Sequence, residues 1–139
     1  MEDRICGVWK LVSQYYEDVE TGERVAPFGD RPRGYQIATK DGRWMALATA
    51  EGRPPPKTDA ERVAAFRSMI AYSGRWRVEG DTVVTRVEAA WNEEWVGSEQ
   101  IRHARFEGDD RLHLESPPQP HPNLLGRMVR IKVVWHREE

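Results

Sequence analysis

The 139-residue chain is poor in several things that a fold or a function can be built on. It has one cysteine, Cys6, so no internal disulfide framework can hold it together. No apolar run comes near the roughly 20 residues that span a bilayer, and the mean hydropathy is −0.75, so no membrane partner is expected. The opening Met1-Glu2-Asp3-Arg4-Ile5-Cys6 is charged and lacks the apolar stretch of a secretory signal. Together these features make the cytoplasm the expected location. Neither sign of charge dominates: 21 Lys and Arg stand against 23 Asp and Glu. Phosphate backbones need a basic face, so no nucleic acid is expected, and Arg127, Arg130 and Lys132 read as a solvated strand face. There is no phosphate-binding glycine loop and no Gly-x-Ser-x-Gly elbow. None of His103, His113, His121 and His136 has metal-ligand spacing to another donor. His103 and His113 fall opposite the inward faces of their strands, His121 lies in the proline-rich loop, and all four are expected to point outward, so neither a metal nor another cofactor is expected.

What is abundant is tryptophan, with six in the chain. Its large ring is costly to place unless it fills a core or a pocket. The length suits one domain over residues 1–139, able to bury about two thirds of its unfolded surface.

Short alternating runs separated by turn residues repeat along the chain, the pattern of a sandwich or barrel. The first runs from Gly7 to Glu17, with Trp9, Leu11, Ser13 and Tyr15 on one face. Glu23 to Phe28 forms a short return. Gly34 to Thr39 places Tyr35 and Ile37 together, and Asp41-Gly42 suits a type I′ hairpin leading back through Trp44 to Ala48. Pro54-Pro55-Pro56 cannot sit inside a sheet ladder. Thr58 and Glu61 form a capping-box pattern, and the helical spacing of Val63, Ala64, Phe66, Ile70 and Ala71 predicts about three turns. Strands resume at Tyr72, with Gly74, Trp76 and Val78 on its face, then over Val83–Ala90, Glu99–Glu107, Arg111–Ser116 and Met128–Arg137. Eight main strands with hairpin spacing predict an all-β, antiparallel up-and-down barrel with one short inserted helix, whose interior is filled by side chains or holds one small ligand.

The stretch Asn92 to Arg102 carries the densest chemistry. Gln100 and Arg102 are two apart, so a strand turns both to one face, which continues as Ala104 and Phe106. Such a face is an apolar wall with two hydrogen-bonding groups near one end. Arg102 inside would meet a carboxylate, enolate or carbonyl oxygen, or be held by an internal acid such as Glu88; in the other register Gln100 and Arg102 both face solvent. Tyr35, Met45, Tyr72, Trp76, Trp91 and Trp95 are the other candidate ligand-binding residues, suited to a flat or apolar guest. Each also serves as plain core. No catalytic residue can be named.

Gly7-Val8-Trp9-Lys10-Leu11 resembles the Gly-x-Trp opening of lipocalins. Taken with Pro27-Phe28-Gly29, Arg33-Gly34-Tyr35, Tyr72-Ser73-Gly74-Arg75, Asn92 to Gly97, Gln100, Arg102 and Val133-Val134-Trp135-His136-Arg137, the chain resembles the bacterial and fungal lipocalin-like domain family from Ile5 to Arg137. The resemblance implies an eight-stranded barrel, a helix inserted midway and a hydrophobic cavity. It also implies that Trp9 packs under Arg137 at the closed end, a cation–π pair of roughly 0.5–2 kcal/mol. The expected function is binding of a small apolar or aromatic molecule. The alternative, by analogy with similar members in natural-product pathways, is a cofactor-independent isomerase or cyclase working in the same cavity. A third option is a barrel filled by its own side chains and acting through a partner surface. A homodimer is allowed.

Overall fold

Period-two burial dominates the chain from Gly7 onward, and the elements follow from it. The computed structural model describes residues 1–138. A short helix α1 (Glu2–Ile5) leads into β1 (Gly7–Asp18) and β2 (Arg24–Val25). The hairpin of β3 (Arg33–Ala38) and β4 (Arg43–Thr49) follows, then the helix α2 (Asp59–Arg67). The strands β5 (Met69–Glu79), β6 (Thr82–Ala90), β7 (Glu99–Glu107) and β8 (Arg111–Glu115) come next, and the two-residue β9 (Gln119–Pro120) precedes β10 (Met128–Arg137). Each main strand pairs antiparallel with its neighbour, and β1 pairs with both β3 and β10, which closes the sheet into an eight-stranded barrel. Closure removes the sheet edges that an open sheet of this size would expose.

One inserted residue decides what the barrel contains. The β1–β10 register runs Leu11↔Trp135 and then Ser13↔Val134, leaving Val12 as a bulge. A bulge shifts the side-chain phase of its strand. Trp9 and Leu11 face inward before it, and Gln14, Tyr16 and Asp18 are the buried residues after it. The expected single face of Trp9, Leu11, Ser13 and Tyr15 is therefore corrected: beyond Val12 it is Gln14 and Tyr16 that share the inward side with Trp9 and Leu11.

The β3–β4 hairpin shows the inverse of the expected face. Gly34, Gln36 and Ala38 point inward opposite Ala48, Ala46 and Trp44, while Tyr35 pairs with Leu47 and Ile37 with Met45 on the outside. Gly34 is required there, because a Cβ would lie 2.2 Å from the Leu47 carbonyl oxygen. The hairpin turn has a positive φ at Gly42 and not at Asp41, so it is a bulged turn rather than type I′.

Helix α2 carries the expected capping box: the Thr58 hydroxyl accepts from the Glu61 amide at 3.1 Å, and the Glu61 carboxylate accepts from the Thr58 amide at 3.0 Å. No residue of α2 is buried. Ile70 and Ala71 belong to β5, so the helix ends earlier than its apolar spacing suggests. The Arg53 side chain ties its C-terminus down by donating to the Ala65 carbonyl at 2.8 Å.

The two ends of the barrel differ. At one end α1 covers Trp9, whose indole donates to the Ile5 carbonyl at 2.9 Å, and the Arg137 guanidinium lies 4.2 Å from the ring centroid. At the other end Tyr16, Phe28, Trp91, Trp95 and His121 pack as an aromatic plug. The loop from Pro117 to Arg127 folds over this end.

Candidate functional site

The alternation of β7 is clean: Gln100, Arg102 and Ala104 are buried while Glu99, His103 and Arg105 are exposed. Arg102 is therefore carried into the barrel, and only 5% of it remains exposed. Its guanidinium donates to the Ile101 carbonyl at 2.9 Å, to Gln119 Oε1 at 3.3 Å and to Gln100 Oε1 at 3.3 Å. All three acceptors are neutral. Glu88, an acid that could have held it, lies outside the barrel against Arg43 and Arg75. Burial pulls the Arg102 pKa down from its ordinary value, opposed by the nearby hydroxyls of Tyr72 and Tyr16.

Arg102 borders a small interior cavity of about 30 Å³ with apolar walls from Ala48, Ile70, Leu114 and Val133. Such a volume holds about two waters, so the interior is nearly full. Polar groups from other strands reach the same space. Both amide atoms of Gln36 (β3) and the Trp135 indole nitrogen (β10) are buried without a partner among the described residues. Unpaired buried polar atoms are rare in native interiors and ask for an explanation.

Beside Arg102 runs a chain of hydrogen bonds from the plugged end. Gln14 Nε2 donates to the Tyr16 hydroxyl at 3.1 Å, and that hydroxyl lies 3.3 Å from His121 Nε2. His121 Nδ1 accepts from the Asn123 amide at 3.1 Å. This leaves Nε2 as the protonated nitrogen of a neutral ring, donating to Tyr16. Burial, and then the Arg102 charge, push the His121 pKa down to about 3. Burial pushes the Tyr16 pKa up.

A second hollow of about 270 Å³ opens to solvent between the 3-10 turn Glu93–Trp95 and the 117–127 loop. Trp95, Gln100, Gln119, Pro120, His121 and Pro122 line it. Trp95 borders this vestibule and the interior cavity alike. Gln119 stands on the vestibule wall with its side chain on Arg102.

The expected site residues divide. Tyr72, Trp95 and Arg102 line the cavity, and Gln100 bonds to Arg102 from the vestibule side. Trp91 packs edge-on against Trp95 at 5.0 Å. Trp76 sits toward the covered end, where its indole donates to the Thr39 carbonyl. Tyr35 and Met45 stand on the outer face, 45% and 55% exposed, away from the cavity; apolar character on both sides of that hairpin hid its phase. Gln14, Gln36 and Trp135 line the cavity and Gln119 reaches Arg102, although none of the four is among the expected site residues. His121 was expected to face outward and is fully buried. It lies in an irregular loop, where strand alternation says nothing about direction. His103 and His136 are exposed and His113 is half-buried.

A family profile described as a lipocalin-like domain matches residues 6–138. Among solved structures, the chain is similar to a redesigned beta barrel at 9% identity, over 99% of this chain and 95% of that one, with a TM-score of 0.49. It is also similar to an uncharacterized protein from Bacteroides eggerthii DSM 20697 at 12% identity, over 95% of this chain and 98% of that one, with a TM-score of 0.44. Among curated proteins nothing matches. With the profile covering nearly the whole barrel, the chain belongs to the lipocalin-like domain family.

Proposed function

We propose that this barrel binds a small molecule with an apolar body, seating one of its oxygens on Arg102. The observation that carries this reading is a buried guanidinium with no acidic partner among the described residues. A charge held in a protein interior is costly unless it is paired, and a binding site is a place where that cost is returned when the ligand arrives. The unpartnered Gln36 amide and Trp135 indole beside the same cavity add polar groups able to fix a guest's orientation. Trp95 and Tyr72 supply the aromatic wall. The lipocalin-like fold supports ligand binding in general. Because the interior volume is small, the guest extends toward the vestibule or the barrel yields as it enters.

Binding is favoured over catalysis by the partners of Arg102, which are amide and carbonyl oxygens rather than a carboxylate or a tyrosine placed to move a proton. The test is native mass spectrometry of protein purified from its own host, wild type beside Arg102→Met. A small molecule carried by the wild type and lost from the variant is the expected result. The same molecule on both proteins, or a wild type that stays empty and takes up no aromatic acid or ketone from a fluorescence-titrated panel, overturns the reading.

A further inference from the structure

We propose that the ligand is a monocarboxylate, and that it reaches Arg102 from the vestibule by taking the position now held by the Gln119 side-chain carbonyl. This rests on the interior site proposed above and names its ligand class.

The charge argument comes first. Among the described residues Arg102 has three neutral oxygen partners, and no Asp or Glu lines the interior cavity. A neutral carbonyl guest would only exchange one amide oxygen for another and leave the cation unbalanced. A carboxylate would turn the contact into a charge-assisted pair, which is stronger than a neutral hydrogen bond. A phosphate dianion would bring a second charge into walls made of Ala48, Ile70, Leu114 and Val133. One cation and an apolar lining suit one negative charge.

Gln119 then supplies the geometry. Its Oε1 lies 3.3 Å from Arg102 Nη1, and its Nε2 donates to Gln100 Oε1 at 3.1 Å. Gln100 Oε1 in turn accepts from Arg102 Nη2 at 3.3 Å. A planar amide thus lies where a planar carboxylate could face the guanidinium. Gln119 comes from β9, which has only two residues and pairs with Val129 and Met128 at the barrel rim. Its side chain lines the 270 Å³ vestibule and bonds to Arg102, which lines the 30 Å³ interior.

The vestibule suits the rest of such a ligand. Trp95, Pro120 and Pro122 give it apolar surfaces on which a single ring can lie. Two acids stand at its margin. Glu99 is paired with Arg77 at 2.9 Å, and Glu94 is exposed to solvent, where its charge is screened.

Isothermal titration of the purified protein with 3-phenylpropanoate and with 3-phenylpropanamide tests this. The two probes share a body and differ in charge. The wild type is expected to bind the acid about tenfold more tightly than the amide, the difference between a charged and a neutral hydrogen-bonded pair. Gln119→Ala is expected to tighten the acid further, because nothing then has to be displaced. Gln119→Glu is expected to abolish acid binding, because the chain then supplies its own carboxylate. Far-UV circular dichroism and urea melts establish that each variant folds. Equal binding of acid and amide, both lost in Arg102→Met, overturns the carboxylate inference and leaves the interior site standing. Undiminished acid binding by Gln119→Glu overturns the position assigned to Gln119. No binding of either probe to the wild type and Gln119→Ala overturns the inference outright, while Arg102-dependent retention of a different molecule in native mass spectrometry would still uphold the broader reading.

Discussion

The His121 imidazole meets the Tyr16 hydroxyl at 3.3 Å, and its other ring nitrogen is already committed to the Asn123 amide. Protonation would set an N–H against that amide N–H, within a cage of Tyr16, Trp91 and Trp95 and near the Arg102 charge. The folded pKa is about 3, against 6.5 for the free side chain. A histidine depressed in this way stabilises the fold fully above pH 6.5. That contribution is lost as the pH falls from 6.5 toward 3, by up to about 1.4 kcal/mol per pH unit.

The first prediction compares wild type with His121→Phe by urea unfolding between pH 7.5 and 4.5. Both chains share every carboxylate, including Asp18 and Glu107, whose pKa values are held low by Arg127 and His113. The wild type should therefore lose stability more steeply with acid than the variant. Parallel curves would mean that His121 does not titrate with unfolding, contrary to its neutral seat in the plug.

The covered end of the barrel gives the second prediction. Arg137 lies over Trp9, donates to the Cys6 carbonyl at 2.9 Å, and also reaches the Arg4 carbonyl. A planar fork can stack and donate at once; an ammonium cannot. Arg137→Ala should cost about 2 kcal/mol in urea unfolding, and Arg137→Lys should recover less than half of that. Full recovery by lysine would mean that charge alone, without the planar stack, accounts for the effect.

The legible parts of this chain are those with a regular period. Gln100, Arg102 and Ala104 share one face of β7, so their common direction could be read from the spacing, but Ile101 on the opposite face left open whether that direction is inward. The same clarity held for Thr58 and Glu61, whose capping box is a local pattern, and for Trp9 beneath Arg137, which followed from the family resemblance. Two features were hidden for physical reasons. Val12 inserts into β1 without any turn residue to mark it, and that single residue exchanges Tyr15 for Tyr16 in the interior. Tyr35, Ile37, Met45 and Leu47 are apolar on a face that meets solvent, so composition pointed the wrong way. The 117–127 loop has no regular period over most of its length. Nothing in the spacing of Gln119 and His121 shows that both turn toward the barrel.

A third prediction follows from a close backbone approach. The β5–β6 register shifts between Ser73 and Gly74, and a Cβ on Gly74 would fall 1.9 Å from the Arg86 carbonyl oxygen. Neither backbone can move without breaking the ladder that positions Tyr72 two residues away. Gly74→Ala should destabilise the barrel by about 3 kcal/mol, read as a lowered urea midpoint. Gly80→Ala provides a comparison, since its φ of 66° is strained for alanine but its Cβ meets nothing within 4 Å. A variant at Gly74 no worse than one at Gly80 would show that the strands separate more easily than their register implies.

Arg102 poses the question of whether the interior is built for stability or for a guest. If the guanidinium were a structural strut, removing it would leave the Ile101 carbonyl and Gln119 Oε1 without its donors, with nothing gained in return. If it is held ready for an acidic ligand, the empty fold bears the cost of a buried, unbalanced charge, and an apolar replacement of similar length removes that cost. Gln100 and Gln119 still hold each other at 3.1 Å, and Gln100 Nε2 donates to the Ser98 hydroxyl at 3.1 Å. Replacing even a buried ion pair by well-packed apolar side chains is often neutral or stabilising by roughly 1–4 kcal/mol, and Arg102 lacks the compensating charge of such a pair. Arg102→Met should therefore melt no lower than the wild type without ligand, and its advantage should disappear when the wild type is saturated with an acid that it binds. The measurement is a pair of thermal melts with and without that acid. A variant that melts several degrees lower without ligand would assign Arg102 to the scaffold instead of the site.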